Sequence, residues 1–547
     1  MDGLNRRRFI TGTGAAIATS AATAAPAAAG PAAAPPAPAP ASVSASASAA
    51  TVTPSDARYA DLVSGMNGRF SAAPEEIRLP ASTGQVVRIV REAARRGKYL
   101  VIRGGGHGFG DFVFNKEAEI LLDLRLLNRV GYDERRGAFF VEPGATLLQV
   151  YETLYTGWGV TVPGGACHSI GAGGHFAGGG YGMLSRRHGL VCDHIEAAEV
   201  VTVDRRGEVR ALTVTRDRND PHRDLLWALA GGGGGNFGVV TRYWLRTRGA
   251  TGEPSELLPA PPATVHYTQA TWPWERITEA GFGNLLREYG KWSRRHDDPG
   301  SPYAGMGHLL FLNHITAGNL FLVAQIDAGT PDARRLMEEF VGFLSRAMGA
   351  EPDSLDIQHL PFLKATTHST MGGETLTNPS LRTSHKSAFM SDGFPERQID
   401  ALHRHLTRED YSNLFSYVIL SSAGARINAP APDATASPHR DALFAVYYEC
   451  YWRRPEDDER NIRWVREVYQ DMYADTGGVP VPNGVTDGCY VNYADRDLSD
   501  PAFNRSASPW HELYYKGNYP RLQRVKARYD PTNFFRHRQS IALPGRE

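Results

Sequence analysis

The sequence predicts an α+β fold built from two successive parts. In residues 56–250, short runs rich in β-branched and aromatic residues alternate with glycine-rich turns and one amphipathic helical stretch. A proline-rich segment, residues 249–263, then indicates a domain boundary. In residues 251–495, long helical stretches alternate with strand-like runs, which is typical of a sheet covered by helices.

The elements of both parts follow from the spacing of the apolar residues. In the first part, the strand patterns are "YLVIRGG", "EILLDL", "AFFVEPGATL" and "AAEVVTVDRRGEVRAL", and the helical pattern is "TGQVVRIVREAARRG". In the second part, "DARRLMEEFVGFLSRAMG", "ERQIDALHRHLTRED" and "DERNIRWVREVYQDMYADTG" predict helices, and "LFLVAQID", "FSYVILSS" and "LFAVYYECYW" predict strands. The aromatic and basic tail, residues 496–547, is expected to return to the first part.

Residues 1–30 have the pattern of a twin-arginine export signal. An arginine cluster, Arg6 to Arg8, precedes a short and weakly apolar stretch rich in alanine. The alternative is a basic tail without a targeting role. Residues 31–55 are almost entirely Ala, Pro and Ser, which predicts a disordered tether. We therefore expect a secreted protein, and no later segment is apolar for long enough to span a membrane.

Composition excludes several classes of protein. The chain has 547 residues, with 59 basic and 59 acidic side chains, so that its formal net charge is zero. This balance gives no reason to expect a nucleic acid or an anionic membrane as partner. Four cysteines in so long an exported chain do not form a disulfide framework.

Three glycine-rich strips lie in the first part: "LVIRGGGHGFGDF", "VPGGACHSIGAGGHFAGGGYGMLSRRHGLVCDHI" and "ALAGGGGGNFGVVTRYWL". Such strips let a backbone turn sharply or approach a ligand closely. No P-loop motif occurs. Gly233, Gly235 and Gly238 fit G-x-G-x-x-G, but "VVTRYWL" follows them as a strand, so the helix of a Rossmann site is missing.

Two other classes of site fit the strips poorly. Their cysteines and histidines match none of the usual zinc spacings, so we predict no metal site; these are Cys167, His168, His175, His188, Cys192 and His194. A serine hydrolase is disfavoured because no G-x-S-x-G elbow occurs. A flat cofactor that carries phosphate is what remains.

The same strips carry a family resemblance. "RGGGHGFGDF", "PGGACHSIGAGGHFAGGGYGMLSRRHGLVCDHI", "LLWALAGGGGGNFGVVTRYW" and the C-terminal "CYVNYADRDL" and "YYKGNYPRLQRVKARYDPTNFFRHRQSI" resemble the berberine-bridge-enzyme-like FAD-linked oxidases of the vanillyl-alcohol-oxidase superfamily. Within that group the chain looks most like the aclacinomycin-oxidoreductase type of secreted bacterial oxidase. The resemblance runs from about Arg58 to Ile541.

The resemblance implies the architecture in more detail. Residues 56–250 would form the two-lobed FAD-binding domain of the PCMH type. Residues 251–495 would form the substrate-binding domain, with an antiparallel sheet covered by helices. Residues 496–547 would be the closing segment of the family, which returns to the FAD domain.

The resemblance also implies a bicovalent FAD. His107 would bond to the 8α-methyl of the flavin and Cys167 to its ring carbon C6; attachment through the histidine alone is the alternative. Two tethers would permit an open cleft that admits bulky substrates. The other residues that the resemblance places at the cofactor are Arg103, Gly104, Gly105, Gly106, Gly108, Gly171, Gly173, Gly174, His175, Gly179, Gly180, Gly182, Val239 and Asn492.

Oxidation of an alcohol also needs a group that removes the hydroxyl proton. The resemblance selects Tyr493, in the N-Y-x-D motif, as the catalytic residue that accepts the hydroxyl proton, with Tyr490 as the second candidate. In an extended strand these two side chains would point to opposite faces, so only one would reach the flavin unless the strand kinks. Because a free tyrosine has a pKa near ~10, a nearby cation or hydrogen-bond donor is expected beside it. Ser421 stands where the anthracycline-oxidising type has a second tyrosine, which puts a second oxidation step on the same sugar in doubt. Tyr417 lies a few residues earlier in the sequence.

The predicted activity is that of an oxidase. A sugar hydroxyl of a glycosylated natural product or an oligosaccharide would become a carbonyl or lactone, with hydride passing to flavin N5 and O₂ reduced to H₂O₂. The alternatives are a dehydrogenase with another electron acceptor, an oxidative cyclase or desaturase, and a binding protein without turnover. The aromatic side chains of the second part could stack on a substrate or belong to its core; they are Trp272, Trp274, Tyr303, Tyr447, Tyr448 and Trp452.

Overall fold

Three β-sheets organise the chain in a computed structural model, which describes residues 48–368, 378 and 380–545. The predicted signal peptide and most of the predicted tether lie outside these residues. The strands, in chain order, are β1 (Ala50–Val52), β2 (Glu76–Leu79), β3 (Leu100–Arg103), β4 (Ile120–Asp123), β5 (Val130–Asp133), β6 (Ala138–Val141), β7 (Ile195–Val203), β8 (Val209–Thr215), β9 (Val239–Leu245), β10 (Thr264–Pro273), β11 (Gly307–Asn313), β12 (Asn319–Asp327), β13 (Ser354–Pro361), β14 (Arg382–Met390), β15 (Ser416–Ser422) and β16 (Phe444–Trp452).

Helices connect and cover these sheets. They are α1 (Tyr59–Leu62), α2 (Thr83–Arg96), α3 (Leu147–Trp158), α4 (Ala172–Ala177), α5 (Ser185–His188), α6 (Arg223–Leu229), α7 (Glu279–Arg295), α8 (Ala333–Met348), α9 (Phe362–Thr366), α10 (Glu396–Thr407), α11 (Asp458–Met472), α12 (Trp510–Tyr515) and α13 (Tyr519–Tyr529). In the described part of the chain, no helix combines the length and the apolar character that a membrane crossing requires. The α+β prediction is confirmed.

The first sheet is mixed and has the order β1-β2-β4-β3. Its parallel pairs, β2 with β4 and β3 with β4, bring the end of β3 next to the end of β4. β1 differs from the prediction of a tether up to residue 55, because Ala50–Val52 pairs with β2. The β-branched pair Thr51-Val52 suits a strand, and Val52 is fully buried, so this end of the segment folds onto the sheet.

The second sheet is antiparallel, with the order β5-β6-β9-β7-β8. Helix α2 packs on β7 and β8, and its apolar face shares a core with β3 and β4. Ser82 caps its N-terminus by accepting a hydrogen bond from the Gln85 backbone, and Gly97 ends it in the left-handed conformation. The first and second sheets therefore share one hydrophobic core through α2.

The third sheet has seven antiparallel strands in the order β13-β10-β12-β11-β15-β16-β14. Helices α8 and α11 pack on one face of this sheet, α7 packs on α8, and α10 packs on α7 and α11. The opposite face borders a cavity, which receives alternate residues such as Tyr417 and Ile419 of β15. The predicted sheet covered by helices is confirmed.

The C-terminal segment lies against the first part of the chain. Lys526 donates to the backbone carbonyl of Asn236, and Tyr99 donates to that of Arg536. Phe535 is buried in the core that α2 shares with β3 and β4. All four cysteines are buried and none forms a disulfide.

Candidate active site

A cavity of about 720 Å³ lies where all three glycine-rich strips meet the open face of the seven-stranded sheet. Its wall also includes the turn at residues 490–494 and the C-terminal residues 535–537. A space of this size, lined by glycine backbone and by apolar side chains with polar groups among them, is typical of a cofactor and substrate site.

The first strip folds over a buried ion pair. Arg103, at the end of β3, donates to Asp123 at 2.8 Å, and the side chain of Asp123 has no exposed surface. Burial raises the pKa of Asp123 to about 6, although Arg103 opposes the shift. Gly106, with φ of 79°, passes so close that a Cβ there would lie 2.8 Å from Arg103 Nε. Arg103 and Asp123 thus support the loop that presents His107 to the cavity.

His107 is held neutral at physiological pH. Burial, and secondarily the charge of Arg103, lower its pKa to about 4. A neutral imidazole keeps a free lone pair on one ring nitrogen and can act as a nucleophile. This is the state that bond formation with an electrophilic carbon requires.

The second strip crosses the first at backbone distance. A Cβ on Gly105 would lie 2.2 Å from the Gly171 nitrogen, and one on Gly171 would lie 2.3 Å from the Gly105 nitrogen. This crossing brings Cys167 into the same wall as His107. Cys167 is 5% exposed, and its Sγ lies 3.6 Å from Ser169 Oγ. Burial raises the pKa of the Cys167 thiol, and the contacts with Ser169 oppose that shift.

The glycine-lined wall fits a flat, phosphate-bearing group. A Cβ on Gly174 would meet no atom within 4 Å, and one on Gly234 would meet only Ala177, at 4.0 Å. Both glycines line the cavity, so side chains at these positions would fill the space of a ligand. FAD would be held here by His107, Cys167 and the surrounding backbone.

Most of the residues predicted at the site share this one cavity. Those that line it are Arg103, Gly104, Gly105, Gly106, His107, Gly108, Cys167, Gly171, Gly173, Gly174, His175, Gly182, Tyr490, Asn492 and Tyr493.

Gly179, Gly180 and Val239 are not part of the cavity wall. Val239 is fully buried in the core beside α2, because alternation along β9 turns Val240 to the cavity instead. Gly180 has φ of 73°, and a Cβ there would lie 2.7 Å from Val191, so this glycine serves a tight turn.

The extended strand predicted for residues 489–498 is wrong around the two tyrosines. The chain turns after Tyr490, and the Tyr493 nitrogen donates to the Tyr490 carbonyl at 2.9 Å. Asn492 fixes the turn by donating to the His175 carbonyl at 3.1 Å and to the Tyr490 hydroxyl at 2.8 Å. Both tyrosines therefore reach the cavity, with ring centroids 5.8 Å apart.

A carboxylate stands beside Tyr493, where a cation or a hydrogen-bond donor was expected. The Tyr493 hydroxyl donates to Glu449 Oε1 at 3.2 Å, and Tyr451 donates to Oε2 at 3.2 Å. Burial, followed by the Glu449 charge, raises the pKa of Tyr493 well above its ordinary value. Tyr493 is therefore protonated at rest, and it can accept a proton only while passing its own to Glu449.

Glu449 was not among the predicted site residues, and Tyr447 was named only as one of six aromatic side chains that could stack on a substrate or belong to the core. Glu449 is the one charged residue in β16, whose nine residues are all buried, and a charge in such a strand is itself a signal of function. Tyr447 stacks on Tyr493 with centroids 4.4 Å apart and rings inclined by 13°. Tyr417 also lines the cavity, and Ser421 bonds to the Tyr181 hydroxyl at 2.6 Å.

The aromatic side chains of the second part belong mainly to the core. Of the six that were candidates for substrate stacking, Tyr447 alone lines the cavity. The other five pack in the main hydrophobic core and are at most 8% exposed; they are Trp272, Trp274, Tyr303, Tyr448 and Trp452.

A buried ion cluster anchors the turn that carries Tyr493. Lys386 of β14 donates to Asp495 at 2.6 Å and to Asp497 at 2.9 Å, and Arg466 donates to Asp497 at 2.7 Å. Burial alone would lower the pKa of Lys386, but the two carboxylates outweigh it and raise that pKa. On the same strand, Ser387 Oγ accepts from the Tyr490 nitrogen at 3.0 Å.

We expect Lys386→Met to destabilise the protein strongly. The substitution leaves two carboxylates buried with one cation fewer, and breaking a buried pair in this way costs about 3–5 kcal/mol. Urea unfolding at pH 7 measures the loss. Lys291→Met, which removes an exposed pair with Glu288, is the control and should change little. An equal effect of both variants would contradict this account of the cluster.

Comparison with known proteins agrees with the geometry. The family model "FAD binding domain" matches residues 74–213, and "Berberine and berberine like" matches residues 489–542. The chain is 43% identical over 492 residues to the aclacinomycin-N/aclacinomycin-A oxidase of Streptomyces galilaeus, covering 90% of this chain and 89% of the relative. It is 30% identical over 481 residues to the hexose oxidase of Chondrus crispus, covering 80% and 84%.

Solved structures share the fold over almost the whole described chain. Aclacinomycin oxidoreductase superposes with a TM-score of 0.87 at 42% identity, covering 91% of this chain and 100% of that one. A glycopeptide hexose oxidase complexed with teicoplanin superposes with a TM-score of 0.85 at 44% identity, covering 91% and 99%. The chain therefore belongs to the berberine-bridge-enzyme-like family of FAD-linked oxidoreductases.

Proposed function

We propose that this protein is a secreted FAD-dependent oxidase that converts a sugar hydroxyl to a carbonyl or lactone and reduces O₂ to H₂O₂. The sugar would be part of a glycosylated natural product or an oligosaccharide. The observation that carries the proposal is the Tyr493–Glu449 hydrogen bond in the cavity that His107 and Cys167 also line. The activities named for the relatives in Streptomyces galilaeus and Chondrus crispus support it.

The residues divide the chemistry as follows. FAD, when bound, accepts the hydrogen and the electron pair of the substrate C–H bond. His107 and Cys167 would hold it by two covalent bonds, which suits an open cleft. Tyr493 orients the substrate hydroxyl and takes its proton, while its own proton passes to Glu449. The proton moves along an existing hydrogen bond, so the high pKa of Tyr493 is compatible with its role.

The apolar outer wall of the cavity supports a substrate larger than a single sugar. Phe311 and Phe321 lie with centroids 5.8 Å apart, and Leu414, which lines the same cavity, is 53% exposed. An exposed leucine at a cavity mouth gains most when an apolar group covers it. This favours glycosides with an apolar aglycone over free oligosaccharides.

We expect at least one of three compounds to bleach the flavin absorbance in the absence of air: aclacinomycin A, D-glucose or lactose. Admission of air should then restore the absorbance and release H₂O₂, which a peroxidase-coupled assay measures. Restoration by a quinone but not by O₂ would make the protein a dehydrogenase. If none of the three compounds bleaches the flavin, the proposal of sugar oxidation fails.

A further inference from the structure

A buried histidine faces the carboxylate that accepts from Tyr493. His385 of β14 and Glu449 of β16 are direct partners in the antiparallel register. His385 Nδ1 lies 3.6 Å from Glu449 Oε1, and the two side chains are 0% and 5% exposed. Glu449 Oε1 is also the atom to which Tyr493 donates. Three groups thus lie in the order Tyr493, Glu449, His385.

The neighbouring hydrogen bonds fix which nitrogen of His385 carries the proton. Thr383 Oγ1 contacts His385 Nε2 and lies 2.9 Å from the Cys450 carbonyl. A carbonyl can only accept, so the single proton of the Thr383 hydroxyl is directed to Cys450. Thr383 Oγ1 must then accept from His385 Nε2–H. Neutral His385 therefore has its proton on Nε2 and a bare lone pair on Nδ1.

That lone pair has no hydrogen-bond partner among the described residues. A carboxylate and a bare ring nitrogen, both acceptors, are consequently held face to face in a buried position. Burial of an acceptor without a donor is costly, so the bare Nδ1 atom needs an explanation. A proton delivered to Glu449 would supply the donor that this pair lacks.

The ring is also held firmly in place. Phe109 stacks on His385 with centroids 3.7 Å apart and rings inclined by 16°. Phe109 lies two residues after His107, so the loop that presents the flavin anchor also orients the imidazole. The polar side chains that face the ring are Glu449, Thr383, Tyr451 and Tyr493, with the two tyrosine rings at 5.1 and 5.9 Å. On the Thr383 side, the charged Arg69 donates to the Thr383 carbonyl.

We propose that His385 is the terminal acceptor of the proton released by the substrate, and this rests on the proposed function. The substrate C–H hydrogen and its electron pair pass to FAD, and a C=O bond forms. The hydroxyl proton passes to Tyr493, the Tyr493 proton to Glu449, and a proton from Glu449 to His385 Nδ1. The step ends with an ionic Glu449–His385 pair, and solvent later removes the proton.

The first test measures the protonation of His385 in the flavin-loaded protein without substrate. Nitrogen-15 NMR of histidine-labelled protein gives the state of each ring nitrogen, and the His385 signals are those missing from His385→Phe. At alkaline pH we expect protonated Nε2 and bare Nδ1, and acidification should protonate Nδ1. A neutral ring with its proton on Nδ1 would overturn the proposal.

The second test is the pH dependence of flavin reduction by whichever compound of the three-compound panel reduces it. A protonated His385 cannot accept a proton, so we expect an acid limb, meaning a fall in the reduction rate of the unmodified protein as the pH is lowered. Burial lowers the pKa values of the cavity histidines His175 and His537 to about 4, so a limb that lies well above pH 4 does not come from them.

His385→Phe keeps an aromatic ring against Phe109 but removes the acceptor. We expect reduction to slow at least about tenfold at pH 8 and the limb to disappear. His405→Phe is the matched control, because His405 pairs with Asp471 at 2.6 Å outside the cavity wall. It should keep the limb even if it destabilises the fold. If His385→Phe shows the same fall in rate at low pH, the proposal is overturned. If none of the three compounds reduces the flavin, that result counts against the proposed function, and the NMR test then decides the role of His385.

Discussion

Tyr493→Phe is expected to lower the rate constant of flavin reduction by about 10²–10⁴-fold, the usual contribution of a positioned acid–base group. The variant keeps the aromatic ring that stacks on Tyr447, so flavin content and thermal stability should change little. It loses the hydroxyl that donates to Glu449 and that would take the substrate proton. Anaerobic stopped-flow reduction by the active panel compound measures the effect, and substrate affinity should be nearly unchanged.

Tyr490→Phe is the matched control for this result. Tyr490 lines the same cavity from the same turn, but its hydroxyl accepts from Asn492, and no carboxylate of the described residues accepts its proton. We expect less than about a tenfold loss of the rate constant, since no proton transfer is removed. A larger loss in Tyr490→Phe than in Tyr493→Phe would reverse the roles assigned to the two tyrosines.

The double variant His107→Ala with Cys167→Ala is expected to lose all covalently bound flavin. Each single variant should keep the flavin through the other residue, because both side chains line the same wall and the crossing at Gly105 and Gly171 fixes their loops together. Absorbance of the chain after denaturation and gel filtration measures retained flavin. If one of the single variants loses all of its covalently bound flavin, the anchor residue that it still carries does not bond to the flavin.

The single variants also test the link between attachment and an open cleft. One remaining bond should hold the flavin against dilution, whereas the double variant should release it even when folded, because FAD is then retained only by noncovalent contacts. Cys192→Ala is the control for loss of a thiol, since Cys192 is buried in the main core and is not part of the cavity wall.

The fold was largely predictable from sequence because its elements are locally specified. Helix α2 has an amphipathic pattern, a serine cap and a C-terminal glycine, and the structure begins and ends it accordingly. The strand after the third glycine strip, β9, likewise starts at Val239 as its composition predicts. The side of β9 that faces the cavity was not predictable, since the choice between Val239 and Val240 depends on where α2 packs.

The proton-transfer groups depended on contacts between distant segments. The turn at Tyr490 is fixed by Asn492 reaching the carbonyl of His175, and no local pattern in "CYVNYADRDL" encodes that bond. The pairing of His385 with Glu449 requires the register of β14 against β16. The lone glutamate in the apolar run "VYYECYW" was a usable local signal, because a charge in a buried strand needs a partner or a function.

We propose that FAD is bound by two bonds, to His107 and Cys167, beside the Tyr493–Glu449 pair. Intact mass and an absorption spectrum of the denatured, unmodified protein, followed by peptide mapping, test it most directly. We expect a chain that is heavier by one FAD and yellow after denaturation, with the flavin bridging the peptides that contain residues 107 and 167. Flavin that washes out on denaturation, or that bonds to another residue, would contradict it.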